Sequence, residues 1–172
     1  MIVLVGMPAS GKSTIGRALA RRLQLDFADS DQIIERRLQR SIRSYFDSDG
    51  EDAFRDLEQQ VLADLAREGV GVLATGGGAV LRQANRELLR AHGTVIYLHV
   101  SVDRLMRRLS HDTRRPLLQV ADPRARLQAL YAERDPLYRA CAHFVINAQR
   151  SSRAMLVGRI IMQLELMPDT PL

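Results

Sequence analysis

The sequence predicts an α/β fold in which a parallel sheet is covered by helices, and two observations carry that prediction. Short apolar runs alternate along the 172 residues with longer stretches whose apolar residues recur at helical spacing. A glycine-rich segment, residues 6–13, lies between the first apolar run and the first helical stretch, as a strand–turn–helix unit requires. With 46% hydrophobic residues the chain can bury a core without disulfide or metal staples, so one domain over residues 1–172 is expected.

In chain order, Ile2–Val5 is the first strand, and Ile15, Leu19 and Leu23 give the helix after it one apolar face. A short strand near Phe27 precedes a helix over 32–38. Phe54, Leu57, Val61, Leu62 and Leu65 mark a longer helix, which Ser48 and Glu51 are expected to open as a capping box. Residues 70–74, 94–99 and 143–147 read as the remaining strands, and 82–91, 101–109, 123–140 and 153–166 as the remaining helices. No repeat, low-complexity linker or composition break marks a second domain. The tail from Met167, with two prolines, is expected to fray.

No apolar run approaches the ~18 residues of a membrane span, and the first residues lack the charged flank of a signal peptide, so a cytoplasmic protein is expected. Cys141 is the only cysteine, and the four histidines do not reach metal-ligand spacing with it. Basic residues number 25 against 20 acids, yet Lys12 is the only lysine. Residues 1–100 carry 13 basic and 13 acidic side chains, and 101–172 carry 12 and 7, so the whole excess of +5 is C-terminal. Four Tyr, four Phe and no Trp offer bases little to stack on, which favours a small anionic ligand over nucleic acid. Neither a nucleic acid nor a membrane is expected as partner, and the chain is expected to be a monomer.

The segment Gly6-Met7-Pro8-Ala9-Ser10-Gly11-Lys12-Ser13 fits G-x-x-x-x-G-K-[ST] between strand and helix. Loop N–H groups and the positive end of the following helix then surround a phosphate, Lys12 reaches the β- and γ-phosphates, and Ser13 ligates Mg²⁺. Gly6, Ala9, Ser10, Gly11, Lys12, Ser13 and Thr14 are the expected ATP-binding residues of this loop. With one lysine there is no N-K-x-D guanine motif, so ATP is favoured over GTP. A small kinase also needs an acceptor pocket and an arginine-bearing lid that excludes water. The polar, basic stretch Ser110-His111-Asp112-Thr113-Arg114-Arg115-Pro116 suits a lid, expected over about 110–122.

Three further segments carry candidate acceptor chemistry. In Asp29-Ser30-Asp31, one carboxylate can support Mg²⁺ through water while the other orients an acceptor hydroxyl; equally, Ser30 or Asp31 can simply cap the next helix. In Phe54-Arg55-x-x-Glu58 the acid lies one turn from the arginine and can pin it for a bidentate grip on a carboxylate, or the two can form an ordinary surface pair. Thr75-Gly76-Gly77-Gly78 follows an apolar strand, at the end of the sheet where ligands sit, though a plain loop reads the same way.

Taken in order with Arg115-Pro116-Leu117-Leu118 and Arg134-Asp135-Pro136-Leu137-Tyr138, these motifs resemble the shikimate kinase family over nearly the whole chain. The resemblance implies a three-layer α/β/α kinase fold with a five-stranded parallel sheet in order 2-3-1-4-5 and a lid. It implies transfer of the γ-phosphoryl of ATP, with Mg²⁺, to the 3-hydroxyl of shikimate in aromatic amino acid biosynthesis. Mapped onto this sequence, Lys12, Asp31 and Arg115 are the expected catalytic residues. Asp31, Phe46, Phe54, Arg55, Gly76, Gly77, Gly78 and Arg134 would bind shikimate within or beside an acceptor region of about 31–60. Asp29, through water, and Ser13 would hold Mg²⁺, and Arg108 and Arg115 would also contact ATP. Ala9 stands where many relatives carry glycine, and Asp135 places an acid beside the Arg134 clamp. Two rivals are a gluconate kinase-like enzyme, which would not be expected to share Arg55, the triple glycine and Arg134 together, and a catalytically silent ATP- or shikimate-binding module, against which Lys12, Asp31 and Arg115 all stand.

Overall fold

A computed structural model describes residues 1–109, 121–149 and 151–167. Its elements run β1 (Ile2–Val5), α1 (Lys12–Leu23), β2 (Phe27–Asp29), α2 (Ser30–Leu38), α3 (Ile42–Glu68), β3 (Val72–Ala74), α4 (Gln83–His92), β4 (Thr94–His99), α5 (Val102–Leu109), α6 (Pro123–Cys141), β5 (Phe144–Asn147) and α7 (Arg153–Glu165). The five strands form one all-parallel sheet in the expected order, β2-β3-β1-β4-β5. Strand β1 lies at its centre, pairing Ile2 with Val72 on one side and Thr94 on the other, so Ile2–Val5 is buried on both faces and reads as a continuous apolar run. Helices cover the sheet in two contacting sets: α1 packs against α7, while α3 packs against α2 and α4, and α6 against α4 and α5.

The elements expected from periodicity are present, and the starts of two helices are corrected. Helix α3 begins at Ile42 after a cap at Ser41, seven residues before the expected Ser48 cap, with the Ser41 hydroxyl accepting from Ser44 N at 3.1 Å. It kinks at Gly50, whose φ of 85° is favourable only for glycine. Ser48 lies inside the first segment and donates back to Ser44 O at 3.0 Å, so it does not form the expected capping box. Glu51 turns instead to Arg55. The first segment is too polar to announce itself by period, yet it carries Ile42, Tyr45 and Phe46 against the core.

Helix α2 differs in its cap. Asp29, at the end of β2, accepts from Asp31 N at 3.1 Å and Gln32 N at 3.3 Å, so neither Ser30 nor Asp31 is the capping residue. Helix α6 runs through Pro136, although proline cannot donate to the carbonyl four residues earlier. No helix among the described residues is long and apolar enough to cross a membrane.

Candidate active site

The phosphate loop, the Asp29–Asp31 segment and the glycine loop follow the carboxyl ends of β1, β2 and β3, where ligands bind in open α/β sheets. Between β1 and α1, Gly6 lets the chain pass 2.8 Å from Leu98 O, measured from the Cβ any other residue would carry. Ala9 takes a left-handed φ of 64°, so alanine adopts the torsion that glycine would take more readily, at a cost of about 1–2 kcal/mol. Helix α1 starts after Gly11 with no side-chain cap and no acid in its first turn, leaving its N–H groups and its dipole directed at the cavity. Lys12 is buried, and its Nζ donates to Gly6 O at 2.8 Å and Met7 O at 3.0 Å, which holds the ammonium against the loop.

This loop lines a cavity of about 570 Å³ with Thr14 on its rim. Ser10 Oγ is buried there without a hydrogen-bond partner. Arg108, from the last turn of α5, donates from Nη1 to Ala9 O and Ser10 O, both at 2.9 Å, bracing the loop while lining the same cavity. Burial, with Arg104 nearby, pulls its pKa below the ordinary arginine value. Arg115 and the expected lid up to residue 120 lie outside the described residues.

Ser13 Oγ donates to Asp29 Oδ2 at 2.5 Å, which brings the two expected Mg²⁺ residues together. Their hard oxygens fit the ion. No group of three or more His, Cys, Asp or Glu among the described residues can cage a metal. A cation here would therefore draw its remaining ligands from phosphate and water, the mode Mg²⁺ prefers.

Asp31 shares the phosphate-side cavity with Asp29 but extends further, to the acceptor side. It lines the 570 Å³ cavity and also a pocket of about 140 Å³ bounded by Phe46, Phe54, Arg55, Glu58 and the three glycines. Burial, reinforced by the carboxylates of Asp29, Glu58 and Glu35 and opposed by Lys12, pushes its pKa up to about 6. The glycines are there for room. A Cβ at Gly76 would come within 2.5 Å of Asp31 Oδ1, one at Gly77 within 2.8 Å of Pro8, and one at Gly78 would run into the Arg55 guanidinium. Not all three N–H groups face a ligand, because Gly76 N donates to Ser30 Oγ at 2.9 Å.

Arg55 is not a surface residue. It is 9% exposed, its Nη1 donates to Glu58 Oε2 at 2.7 Å, and its Nη2 donates to Glu51 at 3.1 Å. Burial lowers its pKa, but the two acids more than offset this and hold it above the ordinary value. Burial raises that of Glu58 despite Arg55 beside it. Phe46 and Phe54, with centroids 4.5 Å apart, lie under the guanidinium. Arg55 and Phe46 also line an adjoining cavity of about 430 Å³, where Arg134 enters from α6. Asp135 turns away from this clamp, accepting from Tyr97 Oη and Arg139 Nε, both at 2.8 Å.

Two sets of residues around the site were not expected. Ser151, Arg153 and Leu156 line the phosphate-side cavity from the start of α7, and the rule that ligands gather after strand ends could have pointed to the segment after β5. Tyr138, one turn after Arg134, donates to Gly77 O at 2.5 Å. Its position four residues from Arg134 was the available signal.

A parallel sheet, a phosphate loop and an adjoining pocket with a carboxylate between them define a phosphate-loop kinase for a small acceptor. The comparisons with known proteins agree. The shikimate kinase family model matches residues 8–165. A shikimate kinase of Paracidovorax citrulli is 56% identical over 96% of this chain and 92% of its own length, and one of Chromobacterium violaceum is 52% identical over 98% and 91%. A solved shikimate kinase of Acinetobacter baumannii, in complex with shikimate, superposes with a TM-score of 0.90 at 41% identity, covering 96% of this chain and 94% of that one. The chain belongs to the shikimate kinase family. It is accordingly a phosphotransferase with ATP, accompanied by Mg²⁺, as co-substrate and shikimate as acceptor.

Proposed function

We propose that the chain is one kinase domain that transfers the γ-phosphoryl of ATP to the 3-hydroxyl of shikimate, acting as a cytoplasmic monomer without a nucleic-acid partner. The observation that supports this most is that Asp31 borders both the phosphate-loop cavity and the acceptor pocket, so one carboxylate faces donor and acceptor together.

The phosphate loop, from Gly6 through Thr14, holds the triphosphate by backbone N–H groups, and Lys12 moves from the loop carbonyls onto the β- and γ-oxygens. Ser13 and, through water, Asp29 would hold Mg²⁺, which would supply charge neutralisation for the phosphates when bound. Arg55 and Arg134 grip the shikimate carboxylate, with Glu58 and Glu51 fixing the first of these forks. Phe46 and Phe54 pack on the apolar parts of the ring, and the glycine loop lets it approach the backbone. Asp31 orients the acceptor hydroxyl toward phosphorus and takes its proton late, since a loose transition state leaves that proton in place until bond formation is advanced. The family resemblance assigns Arg115, outside the described residues, to the transferring phosphoryl, and Arg108 keeps the loop in shape beside the nucleotide.

Purified protein with MgATP is expected to release ADP when given shikimate but not when given gluconate or a nucleoside monophosphate. A coupled ADP assay checks this, and ADP release independent of shikimate would overturn the proposal. Arg55→Ala is expected to raise the shikimate KM by ~10–100-fold, with the ATP KM little changed, because a charge-assisted fork to the carboxylate is lost. Initial rates at varied shikimate measure it, and an unchanged KM removes Arg55 from the clamp.

A further inference from the structure

Arg134 and Tyr138 lie four residues apart on one face of α6, but the roles argued so far use only the arginine. Tyr138 is 0% exposed, and its hydroxyl donates to Gly77 O at 2.5 Å. Its ring stacks on Tyr97 of β4 with centroids 5.0 Å apart. The Tyr97 hydroxyl is taken by Asp135, which Arg139 holds from the next turn, so α6 is tied to the sheet at that point. Burial raises the pKa of Tyr138, so its hydroxyl stays protonated and remains a donor at neutral pH.

The hydroxyl therefore links two parts of the acceptor site that share no strand or helix. On one side is α6, which delivers Arg134. On the other is the glycine loop, where Gly77 precedes Gly78, the residue whose Cβ would displace Arg55. Arg134 itself has a buried Nε without a hydrogen-bond partner, so that atom adds nothing to holding the arginine in place.

We infer that Tyr138 is a positioning residue for the acceptor: by holding the Gly77 carbonyl, it sets the separation of the Arg134 and Arg55 guanidinium groups across the carboxylate site. This rests on the proposed use of those two arginines as the carboxylate clamp. The Tyr138 hydrogen bond reaches the phosphate loop at one remove, through Gly77 beside Pro8, so its main effect falls on acceptor binding and only a small one on ATP.

Tyr138→Phe in the full chain keeps the ring and its stack on Tyr97 and removes only the hydroxyl. The shikimate KM is expected to rise about three- to tenfold, with kcat and the ATP KM within about twofold of the parent and the thermal transition still cooperative. In an Arg134→Ala background the same change is expected to raise the shikimate KM by less than about twofold, because the group being positioned is gone. An unchanged shikimate KM, an equal factor in both backgrounds, or loss of the cooperative transition would each overturn the inference. If Arg134→Ala alone leaves the shikimate KM unchanged, the clamp reading itself fails. If Arg134→Ala raises it and Tyr138→Phe does not, only the role of Tyr138 fails.

Discussion

Lys12→Ala is expected to lower shikimate-dependent ADP release by at least ~10³-fold. The residue is 8% exposed at the mouth of the phosphate cavity, where water screens charge poorly, and no other lysine exists in the chain to take over. Arginines surround the site, but the loop leaves room for a slim ammonium on a flexible stem, and a planar guanidinium needs more. Shikimate binding, measured by calorimetry, should stay within about threefold of the parent, because the acceptor pocket is lined by other residues. Turnover near that of the parent would contradict the role given to Lys12.

Asp31→Asn is expected to reduce kcat by ~10²–10⁴-fold, since the amide neither takes the acceptor proton nor orients the hydroxyl as a carboxylate does. The same substitution should stabilise the fold in the absence of Mg²⁺ and nucleotide. The folded-state pKa of Asp31 is raised from 3.8 to about 6, so between those values the folded chain keeps a proton that the unfolded chain has lost. Stability contributed by this group therefore falls as pH rises through that window, and the full cost is present above about pH 6. Thermal melts in EDTA should show Asp31→Asn more stable than the parent by ~1–3 kcal/mol at pH 7.5 and no more stable at pH 4. Equal melts at pH 7.5 would show that burial does not penalise the carboxylate.

Much of the fold was legible because strands and helices in this chain differ in period. Ile2–Val5 and, within β4, Val95–Leu98 are continuous apolar runs since a parallel sheet buries both faces, and Leu19 and Leu89 fall on helical stripes that face it. The first segment of α3 was not legible. Its residues are mostly polar, and its helical state depends on the Ser41 cap, the Gly50 kink and the packing of Ile42 and Phe46. The role of Asp29 as helix cap was equally hidden, because three polar residues in a row each have capping chemistry and only the exit direction of β2 selects among them.

The candidate site divides in the same way. By itself the sequence determined the phosphate loop, since a local turn, an uncapped helix start and one lysine are properties of eight consecutive residues. It also determined the pairing of Arg55 with Glu58, because a helix brings such neighbours together wherever it lies. Only the tertiary structure decided that this pair is buried, that Asp31 stands between two cavities, that Asp135 turns from the clamp to Tyr97, and that Tyr138 reaches Gly77. The last two contacts span 38 and 61 residues of chain. Such contacts form only after the sheet has set the positions of β4, the glycine loop and α6, and local spacing carries no information about distances across the sheet.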